Sequence, residues 1–229
     1  HAYNTVMQVE SEYLDKKPSS VMLHDELEAV NSPCYFHEFM ERAERHGLQY
    51  LAEAHFPYVM PGNLPKSVSQ GIGQIATSLI EIEQYMDFLR NRTFRQTLLC
   101  HPEQTIDRRL KPERLRGLYA SSPARVGELE EKERQPNAEK FIAADGLSFV
   151  TTDAITKAAF HHLIELWPRV IGVSELVDAV RTQVYAYRVP STTAEQDFIT
   201  LATQLLQAYS RSIDMIELHV YPPRCVTTV

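Results

Sequence analysis

The chain has 229 residues and a mass of 26.2 kDa, with 44% hydrophobic and 23% charged residues. That composition is close to that of an ordinary globular protein and excludes a disordered tail, a collagen and a disulfide scaffold. The net charge of -7 and the sequence pI of 5.7 argue against a nucleic-acid binder, because phosphate contacts need a clustered basic face.

No apolar run approaches the ~20 residues that span a bilayer, and no charged start followed by an apolar stretch marks a signal peptide. Cys34, Cys100 and Cys225 are far apart and odd in number, so they predict free thiols and a reducing, cytoplasmic setting. The start at His1 suggests a fragment of a longer polypeptide.

In chain order, Asp25 to Val30 reads as a helical turn ending before Asn31-Ser32-Pro33. Phe36, Phe39, Met40 and Ala43 then recur at helical spacing and predict one apolar helix face. Gly47 stands where a helix C-cap belongs, and Leu48 to Ala54 reads as an edge strand. Pro57, Pro61, Gly62 and Pro65 interrupt regular structure. Val68, Ile72, Ile75, Leu79, Ile82, Met86 and Leu89 follow at alternating spacings of four and three. This heptad-like seam predicts a single helix from Val68 to Leu99, capped by Ser67 and Gln70 and stopped by Pro102. Its length would be about 48 Å at the helical rise.

The charged stretch 123–139 has two prolines and few apolar residues, so it is expected to be a linker or exposed loop. It divides a helical part, 1–122, from a mixed part, 140–229. In the latter, Asp145-Gly146 between two apolar runs predicts a hairpin. Thr152 or Asp153 can cap a helix over Ala154 to Leu166, which Trp167-Pro168 ends. Further helices are expected at Glu175 to Val184, capped by Ser174, and at Ala194 to Tyr209. A closing strand is expected at Met215 to Tyr221, with another strand at Leu118 to Ala120. Strands flanking three short helices predict a winged-helix-like domain, and the whole reads as a helix-rich α+β chain.

Two stretches carry a family resemblance. Tyr35-Phe36-His37-Glu38-Phe39, continuing through Gly47 to Ala54, and the run from Glu83 to Leu99 resemble the predicted methyltransferase regulatory domain of bacteria, over roughly Leu23 to Leu118. The resemblance implies a position after an S-adenosylmethionine-dependent methyltransferase domain in the same polypeptide. Some relatives act on protein lysine and carry a winged-helix domain after the regulatory one. It therefore implies a non-catalytic docking or regulatory segment, with a protein substrate and with the methyl donor bound upstream of His1.

Several residues admit two readings. Arg90, Arg92 and Arg95 fit a helix C-terminus and a pair of Asp87 with Arg90, or a docking surface for an acidic partner. Tyr85, Phe88 and Phe94 fit core packing or an interface with the catalytic domain. With Tyr35, Phe36, His37 and Asn91, these residues form the candidate interface. No catalytic, cofactor or metal residue is expected in this chain. Gly71-Ile72-Gly73 has no strand before it, as a nucleotide loop would need. His24, His37, His46 and His55 lack metal-ligand spacing, and His161 and His162 are adjacent and face apart. No nucleophile motif is present. A homo-oligomer is compatible with the sequence. The alternative reading is a DNA-binding winged-helix regulator, although Glu175, Asp178 and a lone Arg181 make its expected recognition helix the wrong charge. A stand-alone enzyme is the weakest reading.

Overall fold

The structure, a computed structural model, describes residues 2–187 and 189–222. Cys225 and the end of the expected Pro222-Pro223 stop lie outside the described residues. The fold is α+β. Helix α1 (Ala2–Asp15) leads, followed by the helical turn α2 (Ser19–Val21) and a wider turn over Met22–Glu26. Helix α3 (Phe36–Arg45) buries Phe36, Met40 and Ala43, three of the four residues of the expected apolar face, while Phe39 is exposed. Gly47 follows it at φ +68°, the left-handed conformation that glycine takes without steric cost. Strand β1 (Gln49–Glu53) comes next.

The single long helix is corrected by the structure. The segment forms two helices, α4 (Lys66–Ile75) and α5 (Leu79–Arg90), and then a strand, β2 (Thr97–Cys100). Two local signals break it. The Ser78 side chain accepts from the Glu81 backbone N–H at 3.2 Å, and the Glu81 carboxylate accepts from the Thr77 N–H at 2.6 Å. Together they close a capping arrangement that starts a new helix. At the other end, Asn91 takes φ +48°. The Arg92 N–H reaches back to the Asp87 carbonyl at 2.9 Å, the hydrogen bond of a Schellman stop. The heptad seam consequently does not share one face: Ile72 and Met86 are buried, while Ile75 and Leu89 are exposed.

Asn91 makes this stop testable. Asn91→Ala is expected to destabilise by about 1 kcal/mol, because a Cβ without a local polar partner strains the left-handed conformation. Asn91→Gly is expected to stay within a few tenths. Urea unfolding followed by circular dichroism distinguishes the two, and equal midpoints would show that the turn carries no strain.

Strand β2 returns antiparallel to β1, pairing Gln49 with Cys100 and Glu53 with Thr97. The register shifts between Tyr50 and Ala52, so Leu51 is the extra residue of a bulge. Phe36, Met40, Ala43 and Tyr50 form a first, small core between α3 and this ribbon, with Leu48, Ile80 and Leu99 packed against it.

The second core is larger. Strands β3 (Tyr119–Ser121), β4 (Arg125–Gly127), β5 (Glu139–Ile142) and β6 (Ser148–Thr151) precede helix α6 (Ala154–Leu166). Strand β7 (Ile171–Gly172), helices α7 (Val173–Val184) and α8 (Ala194–Arg211) and strand β8 (Glu217–His219) complete the chain. The strands form two antiparallel sheets, ordered β7-β3-β8 and β4-β5-β6. The expected hairpin stands, with Gly146 at φ +85° in its turn. Asp153 caps α6 by accepting from the Thr156 N–H at 2.7 Å.

The charged stretch is more than a loop. It holds β4, which pairs with β5, and a short 3-10 turn over Glu131–Glu133. Lys140 ties that turn down through Glu133 at 2.9 Å and Glu130 at 3.3 Å. The local pattern hides this strand, because Arg125 and Val126, on its opposite faces, are both exposed and give no apolar alternation. Leu115, Ala120 and Ala124 pack in the second core with the three helices, so that core begins upstream of the charged stretch.

Candidate functional site

The end of α5, the turn 91–96 and the starts of α3 and β2 enclose a cleft of about 910 Å³. Its lining brings together Tyr35, Phe36, Asp87, Phe88, Asn91, Arg92, Phe94 and Arg95 from the expected interface. Phe39, Gln84 and Leu98 add to the walls, and Cys34, an exposed residue, also lines it. His37 sits beside it: its ring stacks on Tyr35 at 5.9 Å, and its backbone N–H donates to Gln84 Oε1 at 3.2 Å. Tyr85 and Arg90 are not part of the lining. Tyr85 is half-buried on α5, and Arg90 donates to the Tyr58 carbonyl.

The rim is aromatic and open. Phe94 is 75% exposed, Tyr35 56% and Phe88 55%. Tyr35 and Phe88 meet edge to face at 5.5 Å, the geometry that ring quadrupoles favour. A cluster of exposed large apolar side chains around a concave surface is characteristic of an interaction site.

The floor is ionic. Arg92 and Arg95 lie in the turn after α5, not on a continuing helix, and face inward. The Arg95 guanidinium forks to Glu53 Oε2 at 3.2 Å and Asp87 Oδ2 at 2.9 Å, and it also pairs with Glu83. Its plane covers the Phe36 ring at 3.5 Å, a cation–π contact. Arg92 pairs with Glu53 Oε1 at 2.9 Å and approaches Asp87 at 3.8 Å. Glu53 also accepts from the Gln96 N–H at 2.6 Å. The Tyr50 hydroxyl lies 2.6 Å from both Glu83 oxygens. The expected Asp87–Arg90 pair is thus replaced by Asp87 with Arg95 and Arg92. Three carboxylates from β1 and α5 neutralise two arginines, and hydrogen bonds satisfy the rest, as a buried charge requires.

Burial dominates the titration of this cluster. It raises the Glu83 carboxyl above the ordinary carboxylate value, although Tyr50 and Arg95 pull it down. Burial likewise raises Asp87, against Arg95 and Arg92. For Arg95, burial weakens proton binding, but Glu83 and Asp87 outweigh it and leave the guanidinium above its ordinary value. Burial, then the Glu83 hydrogen bond and charge, push the Tyr50 hydroxyl up.

The linkage sign follows. A carboxyl whose folded pKa is raised contributes stability that is full below the unfolded pKa, and this contribution is lost as pH rises through the folded value. Glu83→Gln lacks this contribution. The stability gap between the original chain and Glu83→Gln is therefore expected to narrow as pH rises from the ordinary carboxylate range, about 4.3. Urea midpoints from acid to neutral pH measure it, and a gap that widens with pH would reverse the assignment.

The sequence reading missed Glu53 and Glu83 as partners of the arginines, and Tyr50 as the partner of Glu83. Among the described residues, no group of His, Cys, Asp and Glu is placed to hold a metal ion. His161 instead pairs with Glu139 at 2.7 Å. Gly71 and Gly73 lie inside α4. Among the described residues, no helix is long and apolar enough to cross a membrane.

Residues 18–101 match the model of a family described as predicted methyltransferase regulatory domain. The chain is 41% identical over 108 residues to uncharacterized protein RP789 of Rickettsia prowazekii, covering 47% of this chain and 19% of that protein. It is 31% identical over 126 residues to uncharacterized protein RP027 of the same organism, covering 52% of this chain and 50% of that protein. The fold is similar to that of PKMT2 from Rickettsia typhi, with a TM-score of 0.79 and 24% identity over 100% of this chain and 44% of PKMT2. PKMT2 in complex with AdoHcy gives the same TM-score, over 99% of this chain and 43% of that one. This chain therefore spans no more than about half the length of these relatives. The whole cleft lining, Cys34 to Leu98, falls inside the segment, residues 18–101, that matches the model of the predicted methyltransferase regulatory domain.

Proposed function

We propose that this chain is a non-catalytic regulatory and substrate-docking segment of an S-adenosylmethionine-dependent methyltransferase that acts on protein lysine in the cytoplasm. In this reading the catalytic domain lies upstream in the same polypeptide and holds the methyl donor. The cleft is the surface that packs on that domain or presents the protein substrate. The observation that carries the reading is the aromatic rim of Tyr35, Phe88 and Phe94 around an ionic floor, all within the family-matched residues. The arginines stiffen the floor rather than reach out, since Arg92 and Arg95 are already engaged by Glu53, Glu83 and Asp87. The rim rings then supply the contact area, as aromatic anchors do at interfaces.

We read the second core as a winged-helix-like protein-docking unit, with the domain division drawn before Leu115. Its α7 is a poor DNA reader. The helix carries Glu175 and Asp178, and its Arg181 is paired with Asp197 and lies 5.3 Å from the Tyr185 ring. A phosphate would have to displace an internal partner, so the DNA-binding alternative is disfavoured.

The test is association with the separately produced upstream part of the polypeptide, measured by analytical ultracentrifugation. Phe88→Glu and Phe94→Glu are expected to weaken it at least tenfold each while leaving the circular dichroism spectrum intact, because both rings are exposed. Unchanged association would remove the cleft from the interface. Calorimetry with S-adenosylmethionine supplies a second check: clear binding to this chain alone would defeat the non-catalytic reading.

A further inference from the structure

A second hollow, of about 400 Å³, lies where the two cores meet. It shares no lining residue with the cleft. Leu51 of β1, Phe56, Val59 and Met60 of the following turns, Leu110, and Leu206 of α8 form its apolar wall. The two cores are held together beside it. The Phe56 ring stacks on Tyr209 at 5.5 Å, and the Asn63 amide donates to the Ser210 carbonyl at 2.7 Å. Junctions of this kind are a preferred place for small-molecule sites, whose volumes run ~300–1,000 Å³.

The charged lining residues are of one dominant sign. Arg108, Arg109, Lys111 and Arg114 share the hollow with a single surface carboxylate, Asp107. Asp107 receives Arg109 Nε at 2.8 Å, Lys111 Nζ at 2.9 Å and Arg114 Nη2 at 2.8 Å. Arg108 is anchored on the Tyr50 carbonyl. Glu83 also touches the hollow, but its carboxylate is committed to Tyr50 and Arg95. In a chain of net charge -7, this concentration of cations stands against the overall balance. One carboxylate already gathers three of them towards one point, leaving positive charge that a second anion can use.

We propose that this hollow binds an amphiphilic anion, an acyl chain ending in a carboxylate, with the chain along the Leu51–Leu206 wall and the carboxylate beside Asp107 among Arg109, Lys111 and Arg114. The inference does not rest on the docking reading and stands or falls separately from it.

Isothermal titration of the 229-residue chain with sodium laurate, below its micelle concentration, tests it. Saturable binding of about one laurate per chain is expected. Dodecyltrimethylammonium, with the same chain length and the opposite charge, is expected to bind at least tenfold more weakly. The double variant Arg109→Gln with Arg114→Gln is expected to weaken laurate about tenfold or more, since charge-assisted bonds are the strong ones. Both arginines are largely exposed, so the fold should survive. Leu206→Trp should fill the hollow and abolish binding. If that chain fails to fold, Leu110→Trp at the more exposed edge carries the same expectation. Laurate that does not saturate, equal binding of the two amphiphiles, or a charge variant that binds like the original chain would overturn the proposal.

Discussion

An Arg95→Met chain is expected to lose roughly 3–5 kcal/mol of stability, the usual consequence of removing one partner of a buried charge cluster. Arg95 answers three carboxylates at once, on Glu53, Glu83 and Asp87, and without it Arg92 alone is left to face Glu53 and Asp87. The Glu53 side chain is fully buried and that of Glu83 is 3% exposed, so water cannot replace the lost guanidinium. Arg95→Lys should recover only part, because an ammonium is a compact, strongly hydrated point charge and lacks the planar spread of donors that the guanidinium presents. Adding Glu53→Gln and Glu83→Gln to Arg95→Met should recover more than half of the loss, since the unpaired charges are then gone. Urea unfolding of the four chains measures this. A loss below about 0.5 kcal/mol for Arg95→Met, the range of an ordinary surface substitution, would mean that the cluster does not hold the cleft floor.

The same cluster explains why the site was only partly legible in the sequence. The aromatics and arginines stand close together in the chain, at Tyr35 to His37 and Tyr85 to Arg95, and could be picked out as a candidate surface. Tyr50 and Glu53 lie thirty or more residues from Glu83 and Arg95. They meet only because β1 packs beside α5, and no local pattern announces a pairing across that distance. The secondary structure divides the same way. Helix α3, β1, the hairpin at Asp145-Gly146 and helix α6 follow from periodicity and caps that act within a few residues. The long helix failed because α4 and α5 continue the same spacing of apolar residues in phase. Periodicity cannot see a break that preserves it. The decisive signals were Ser78 three residues before Glu81, and Asn91, whose side chain tolerates the left-handed conformation. Strand β4 was hidden for the opposite reason: Arg125 and Val126 are both exposed, so no alternation marks them, and the strand is defined by its pairing with β5.

Truncation of Phe160 should have an effect of similar size in the second core. Phe160 is fully buried on α6 and stacks on Phe141 at 4.5 Å and on Phe149 at 5.3 Å. These two rings come from β5 and β6, so Phe160 joins the hairpin to the helices. Alanine there removes the ring's transfer free energy and leaves a cavity between elements whose backbones are fixed by sheet pairing. Such a site collapses poorly, and the cost is expected at roughly 3–5 kcal/mol. Phe160→Leu keeps much of the volume and should cost about half as much. Phe94→Ala provides the contrast: its ring is 75% exposed, and the change should stay within about 0.5 kcal/mol. Thermal unfolding separates these outcomes, since a chain of this size shifts its midpoint by about 2–4 °C per kcal/mol. If Phe160→Ala and Phe94→Ala shifted the midpoint equally, the aromatic stack would not be what binds β5 and β6 to α6. If Phe94→Ala left stability unchanged yet weakened association with the proposed catalytic domain, the two aromatic clusters would be separated by role: the Phe141–Phe149–Phe160 stack for the fold, and the Tyr35–Phe88–Phe94 rim for contact.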